Sequence, residues 1–116
     1  MLADPEHCAA VLAVRKDGGA RRPIGVATAA WRASVQHTRA AELEDLYVVP
    51  SERGRGVAGA LVDAVTRWSR ERGCSVLLVT VTPDGELSHG LTGFYTKRGF
   101  GDEYRTVLSL ALETRR

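Results

Sequence analysis

The segment Pro50-Ser51-Glu52-Arg53-Gly54-Arg55-Gly56-Val57-Ala58 limits the fold of this chain more than any other. Pro50 stops a strand, because it has no N–H to give to a ladder. Past the glycines, Val57, Leu61, Val65 and Trp68 recur at helical spacing, and Ala58 and Val62 widen the stripe. A helix is expected from about Gly56 to Arg72. Gly73 would close it, with Arg70 and Arg72 favourably placed in its last turn. A strand, a glycine loop and an amphipathic helix in this order point to an α/β fold.

The flanking segments supply the rest of a sheet. Cys8 to Val14 and Ile24 to Trp31 are apolar runs around the turn residues Lys16-Asp17-Gly18-Gly19. They read as an antiparallel hairpin with a connection longer than a tight turn. After a polar loop, Ser34 to Arg39, a third strand runs from about Ala41 to Val49. Leu43 is out of phase with Leu46 and Val48 in a strict period-2 strand. Either a β-bulge near Glu44-Asp45 restores one buried face, or the strand is covered on both sides. Ser75 to Val81 is continuously apolar, as a central strand would be. Pro83-Asp84-Gly85 reads as a turn. Ser88 is placed as the cap of a helix that carries Leu91, Phe94 and Tyr95 and stops at Gly99. A last strand is expected through Leu108, Leu110 and Leu112. The order is β-β-β-α-β-α-β, in one domain over 1–116.

Glycines let a backbone approach a diphosphate, and amides at a helix N-terminus point at it with a favourable dipole. Gly54-Arg55-Gly56-Val57-Ala58-Gly59 fits G-x-G-x-x-G, the dinucleotide pattern. Its context is wrong for NAD, since Pro50 to Arg53 separates strand from loop and no acidic residue ends the next strand. A Walker A loop would need a lysine and hydroxyl pair that is missing here. The same six residues from Arg53 to Ala58 also fit R-x-x-G-x-A, a pyrophosphate loop of another kind. The competing reading is an ordinary solvated basic turn.

A net charge of +2 argues against a dedicated nucleic-acid binder. Cys8 and Cys74 lack C-x-x-C spacing, so no metal or redox motif is supported; buried thiols in a reducing compartment are expected. No signal-like or membrane-length apolar run occurs, and a cytoplasmic location away from membranes is the expectation.

Three motifs in order resemble the GNAT acyltransferase superfamily: Leu43-Glu44-Asp45-Leu46-Tyr47-Val48-Val49-Pro50, the loop Arg53 to Ala58, and Phe94-Tyr95-Thr96-Lys97-Arg98-Gly99-Phe100. The resemblance covers about Ala9 to the C-terminus. It implies a mixed, mostly antiparallel sheet, splayed in the middle and flanked by helices. Acetyl-CoA would place its pantetheine between the strands at Ala41–Val49, along Leu46, Val48 and Val49, and Ser75–Val81. Its pyrophosphate would sit on Arg53, Gly54, Arg55, Gly56, Val57 and Ala58. Ser88 stands where members carry a cofactor-contacting Asn. The hairpin begins almost at Met1, so the family's N-terminal strand and helices are reduced or missing. Apolar surface left uncovered there would make a homodimer.

Acetyl transfer to an amine needs a base, an oxyanion donor and an acid for the leaving thiolate. A splayed strand frees the backbone N–H around Val48 as the donor. Tyr95 matches the family's general acid; read without the family it is a packed helix aromatic. Glu42 and Glu44 stand two apart, hence on one strand face, and either could relay the ammonium proton. The resemblance to polyamine acetyltransferases favours Glu44. Asp45 could hold a cationic acceptor. His37 and His89 are alternative bases, and Trp31 and Trp68 suit the core. The expected function is N-acetylation of a primary amine on a small molecule or peptide. The alternative is an acyl-CoA-binding regulatory module without turnover.

Overall fold

In the computed structural model, which describes residues 6–102 and 108–112, the chain divides into two units, Met1–Thr80 and Val81–Arg116. The first opens with the antiparallel hairpin β1 (Cys8–Asp17) and β2 (Ala20–Ser34). Its connection is tighter than expected: Gly18 and Gly19, at φ +53° and +90°, make a two-residue turn between Asp17 and Ala20. Positive φ at both positions matches the right-handed twist of the strands.

Strand β3 (Thr38–Val48) pairs antiparallel with β2, and β4 (Val76–Val79) pairs parallel with β3, giving the order β1-β2-β3-β4. The phase break in β3 is a bulge. Thr28 faces Asp45 and Ala29 faces Leu43, so Glu44 is the extra residue. Leu43, Leu46 and Val48 consequently stand opposite Ala29, Ala27 and Gly25 on one face of the sheet. A second irregularity leaves Ile24 as the extra residue of β2, between Pro23 and Gly25.

Helix α1 (Val57–Glu71) lies on that face. A Cβ at Gly25 would come within 3.1 Å of Leu61 Cδ1 and 3.2 Å of Val57 Cγ1, which shows how closely the helix approaches. Leu61, Val62 and Val65 are fully buried over the small residues Ala27, Ala29 and Ala41. Each such side chain contributes about 1.5–3 kcal/mol of burial free energy. Trp31 is only half-buried: His7 stacks on it at 4.3 Å and the Arg39 guanidinium lies 4.4 Å from its ring centre.

The second unit holds α2 (Pro83–His89) and α3 (Leu91–Lys97). The Pro83-Asp84-Gly85 segment begins a helix rather than a turn. Thr82 is its N-cap, with Oγ1 accepting from the Gly85 N–H at 3.0 Å, and Pro83 fits the first helical position. Ser88 is therefore inside α2 and caps nothing; Gly90 joins the two helices. The expected last strand is not found: residues 108–112 are unpaired, with Leu108, Leu110 and Leu112 between 82% and 88% exposed. Alternation of apolar residues makes a strand only where a sheet edge accepts its backbone. Among the described residues β4 thus ends the sheet, half-buried throughout, rather than lying at its centre.

Candidate functional site

The site begins where two strands part. β3 and β4 pair from Ala40/Val76 to Leu43/Val79 and no further, while β3 stays on β2 through Val48. The Val49 N–H donates to the Ile24 carbonyl at 2.9 Å, which makes Val49 and Ile24 a hydrogen-bonded pair. Antiparallel pairs alternate, so Val48 and Leu46 fall in non-hydrogen-bonded pairs and turn their N–H and C=O groups away from β2. Those groups border the gap that β4 leaves, as the predicted splay requires.

The glycine loop follows at once. A 3₁₀ turn, Pro50–Glu52, leads to Gly54 and Gly56 at φ +76° and +85°. Gly56 is the N-cap of α1 and supplies no side chain to the first amides. Those of Val57, Ala58 and Gly59 precede the first intrahelical donor, Ala60, which bonds the Gly56 carbonyl at 3.1 Å. The first turn holds no acidic residue. This is the arrangement that accepts an anion.

One residue of the loop escaped the sequence reading. Glu52 is buried, 5% exposed, and three arginines surround its carboxylate. Arg15 donates from Nε at 3.1 Å and also from Nη2. Arg22 and Arg55 approach to 3.6 and 3.9 Å. Arg15 and Arg22 are cross-strand partners near the turn of the hairpin, so Glu52 ties that end of the hairpin to the loop. No local pattern signals a pair 37 residues apart; an unneeded carboxylate in a basic turn was the one available hint. The Arg15 hydrogen bond, then the charges of Arg15, Arg55 and Arg22, hold the Glu52 carboxyl below its ordinary value of 4.5, with burial opposing. A lowered pKa contributes stability that is complete above the ordinary carboxylate range and is lost as pH falls through it. Urea midpoints of wild type should fall steeply below about pH 4.5. Glu52→Gln should start lower at neutral pH and decline less on acidification. Parallel curves would remove Glu52 from the account.

The expected acids sit on β3. Glu44 is the bulge residue, so a spacing of two no longer places it on the face of Glu42. In the register Glu42, opposite Ala30, and Asp45, opposite Thr28, share a face. Glu42 is 3.6 Å from Arg32, and Asp45 accepts from Thr28 Oγ1 at 2.6 Å. Glu44 is exposed.

In the second unit Tyr95 is buried, and its ring meets Phe94 and Phe100 edge-to-face at 5.0 and 5.3 Å. The end of α3 explains its setting. The Phe100 N–H bonds the Tyr95 carbonyl at 3.1 Å and the Gly99 N–H bonds the Thr96 carbonyl at 3.0 Å, with Gly99 at φ +95°. This is a Schellman ending, whose usual apolar contact across the turn is the Tyr95–Phe100 ring pair. Burial raises the Tyr95 pKa above 10.0, so the phenol keeps its proton at neutral pH. Ser88 is exposed on α2.

Comparison with known proteins agrees with this geometry. The profile described as "Acetyltransferase (GNAT) family" matches residues 1–100. An aminoglycoside N(6')-acetyltransferase type 1 of Salmonella typhimurium is 40% identical over 55 residues, covering 45% of this chain and 38% of that protein. Glucosamine 6-phosphate N-acetyltransferase 1 of Oryza sativa subsp. japonica is 37% identical over 62 residues, covering 53% and 34%. The chain thus spans well under half the length of these curated relatives. Among solved structures, aminoglycoside N-acetyltransferase AAC(6')-Iy in complex with CoA superposes with a TM-score of 0.74 at 28% identity, covering 95% of this chain and 78% of that one.

Proposed function

Because this chain belongs to the GNAT acetyltransferase family, we propose that it is an acetyl-CoA-dependent N-acetyltransferase acting on a primary amine of a small molecule or peptide. The observation that carries this reading is the adjacency of two features on one strand end. The open edge at Leu46 and Val48 leads directly into the uncapped amides of α1. The edge suits the amide-bearing pantetheine arm and the amides suit its diphosphate, with Arg55 beside them. The named relatives act on amines or are solved with CoA, which supports the same reading.

The chemistry follows from the groups present. The amine nitrogen attacks the thioester carbon, and the Val48 N–H receives the charge that develops on oxygen. The C–S bond then breaks. Tyr95 gives its proton to the thiolate, and the ammonium proton leaves through Glu44 or Glu42, directly or by water. Together with Asp45 these carboxylates favour a cationic acceptor, a property shared by polyamines and aminoglycosides. Residues 1–116 act as one acetyltransferase domain. A homodimer is supported by Leu12, Val26 and Tyr47, adjacent on the sheet face away from α1, with Leu12 60% and Tyr47 50% exposed. The free cysteines Cys8 and Cys74 suit the cytoplasm.

Free-thiol release from acetyl-CoA, measured against polyamines, aminoglycosides, amino acids and peptides, tests the proposal. At least one cationic amine should be acetylated. CoA binding with no thiol release from any acceptor would end the enzyme reading.

A further inference from the structure

Two arginines flank Gly54, and they are not equivalent. Arg55 is exposed, and it reaches Glu52 only at a long 3.9 Å. Arg53 turns back along the chain. Its Nε–H donates to the Val48 carbonyl at 2.8 Å, and its guanidinium lies 5.5 Å from the centre of the Tyr47 ring. The Val48 carbonyl is one of the outward groups at the open edge. The Val49 N–H, at the other end of the same peptide, is already bonded to Ile24. Arg53 thereby pins this peptide from the second side. It does so where β4 has stopped pairing and, among the described residues, no strand holds β3 on the side away from β2.

We propose that Arg53 is a positioning residue: its guanidinium takes the place of the missing strand, fixing the end of β3 so that the Val48 N–H is held at one direction and depth. This assignment rests on the acetyltransferase reading and gives Arg53 a role different from that of a diphosphate ligand. Tyr47 is the platform that keeps the guanidinium in plane, since an arginine stacked on an aromatic ring holds its donors in a fixed direction. Lysine cannot replace it, having neither the Nε–H nor the flat fork. The arrangement also separates two tasks within three residues, Arg53 to Arg55. Arg53 braces the strand end, and Arg55 with the α1 amides is left to meet phosphate.

The test is Arg53→Lys, which keeps the charge, beside Tyr47→Leu, which leaves every phosphate-facing group intact. Calorimetry gives the Kd for CoA, steady-state kinetics give kcat, and deuterium uptake reports the amides of residues 47–49. In Arg53→Lys, kcat should fall by about 10-fold or more, short of the 10²–10³ for a fully lost oxyanion donor. Uptake over 47–49 should rise in both variants, while CoA affinity stays at the wild-type value. A diphosphate ligand would behave oppositely, with affinity falling about 10-fold per 1.4 kcal/mol lost while kcat and uptake hold; that result overturns the proposal, as does unchanged uptake in both variants. If wild type acetylates no amine, the acetyltransferase reading fails, and the uptake measurement still decides the brace.

Discussion

Tyr95→Phe should cut turnover by about 10²- to 10⁴-fold, the range for a lost general acid, and leave CoA affinity unchanged. The variant keeps the ring and so the edge-to-face contacts with Phe94 and Phe100. Only the hydroxyl goes. The raised pKa of Tyr95 means the acid is fully protonated across the neutral range, so any fall in rate caused by its ionisation should lie above the ordinary tyrosine value of 10.0. The assay is single-turnover thiol release, with thermal unfolding run beside it. Wild-type turnover together with a lower Tm would make Tyr95 a packing residue, and the leaving thiolate would have to take its proton from water.

Gly56→Val should abolish measurable CoA binding, or weaken it by at least about 100-fold. Two effects add. Gly56 holds φ +85° at the N-cap of α1, and a β-branched residue there is strained by about 1–3 kcal/mol. Nothing lies within 4 Å of the Cβ position, so the space is open and the added side chain stands where a diphosphate would meet the first amides. Titration calorimetry with CoA measures the loss, and Gly56→Ala should give a smaller effect of the same sign. Wild-type affinity in the valine variant would show that the ligand does not use these amides.

The strand, loop and helix around residue 56 were legible because each signal is local: a proline, spaced glycines and a helical stripe. The bulge was legible as a conflict of phase between Leu43 and Leu46, and the register resolved it at Glu44. Three features were not legible, for different reasons. Glu52 depends on Arg15, far away in sequence, and the loop alone gives no sign of that partner. The start of α2 reads as a turn because Pro83-Asp84-Gly85 serves both roles, and Thr82 decides between them by capping. The final strand was read from alternation alone, which states what a segment prefers and not which edge receives it. The open edge of β3 and the uncapped amides of α1 are present as the sequence led one to expect, and Tyr95 is a buried residue of α3. A spacing of two sets Glu42 and Glu44 on a common face by a rule that fails across a bulge, and it does not show that Arg53 turns back to the Val48 carbonyl while Arg55 stays exposed.

The bulge at Glu44 makes β3 behave like a sentence with one inserted letter. Downstream of it every side chain is read in a shifted frame, and the shift is what lets Leu46 and Val48 face α1 while the backbone groups at Val48 face the gap. Substituting Glu44 changes one letter and leaves the frame alone. Deleting it would remove the bulge and leave Leu43, Leu46 and Val48 alternating on one face, still opposite Ala29, Ala27 and Gly25; deleting Leu46 instead would send Val48 to the opposite side of the sheet and bring Tyr47 beneath the helix. The frame thus tolerates a change or a loss at the inserted letter and not at the letters that follow it. Deletion of Glu44 should therefore still fold, as should substitutions there, where deletion of Leu46 does not.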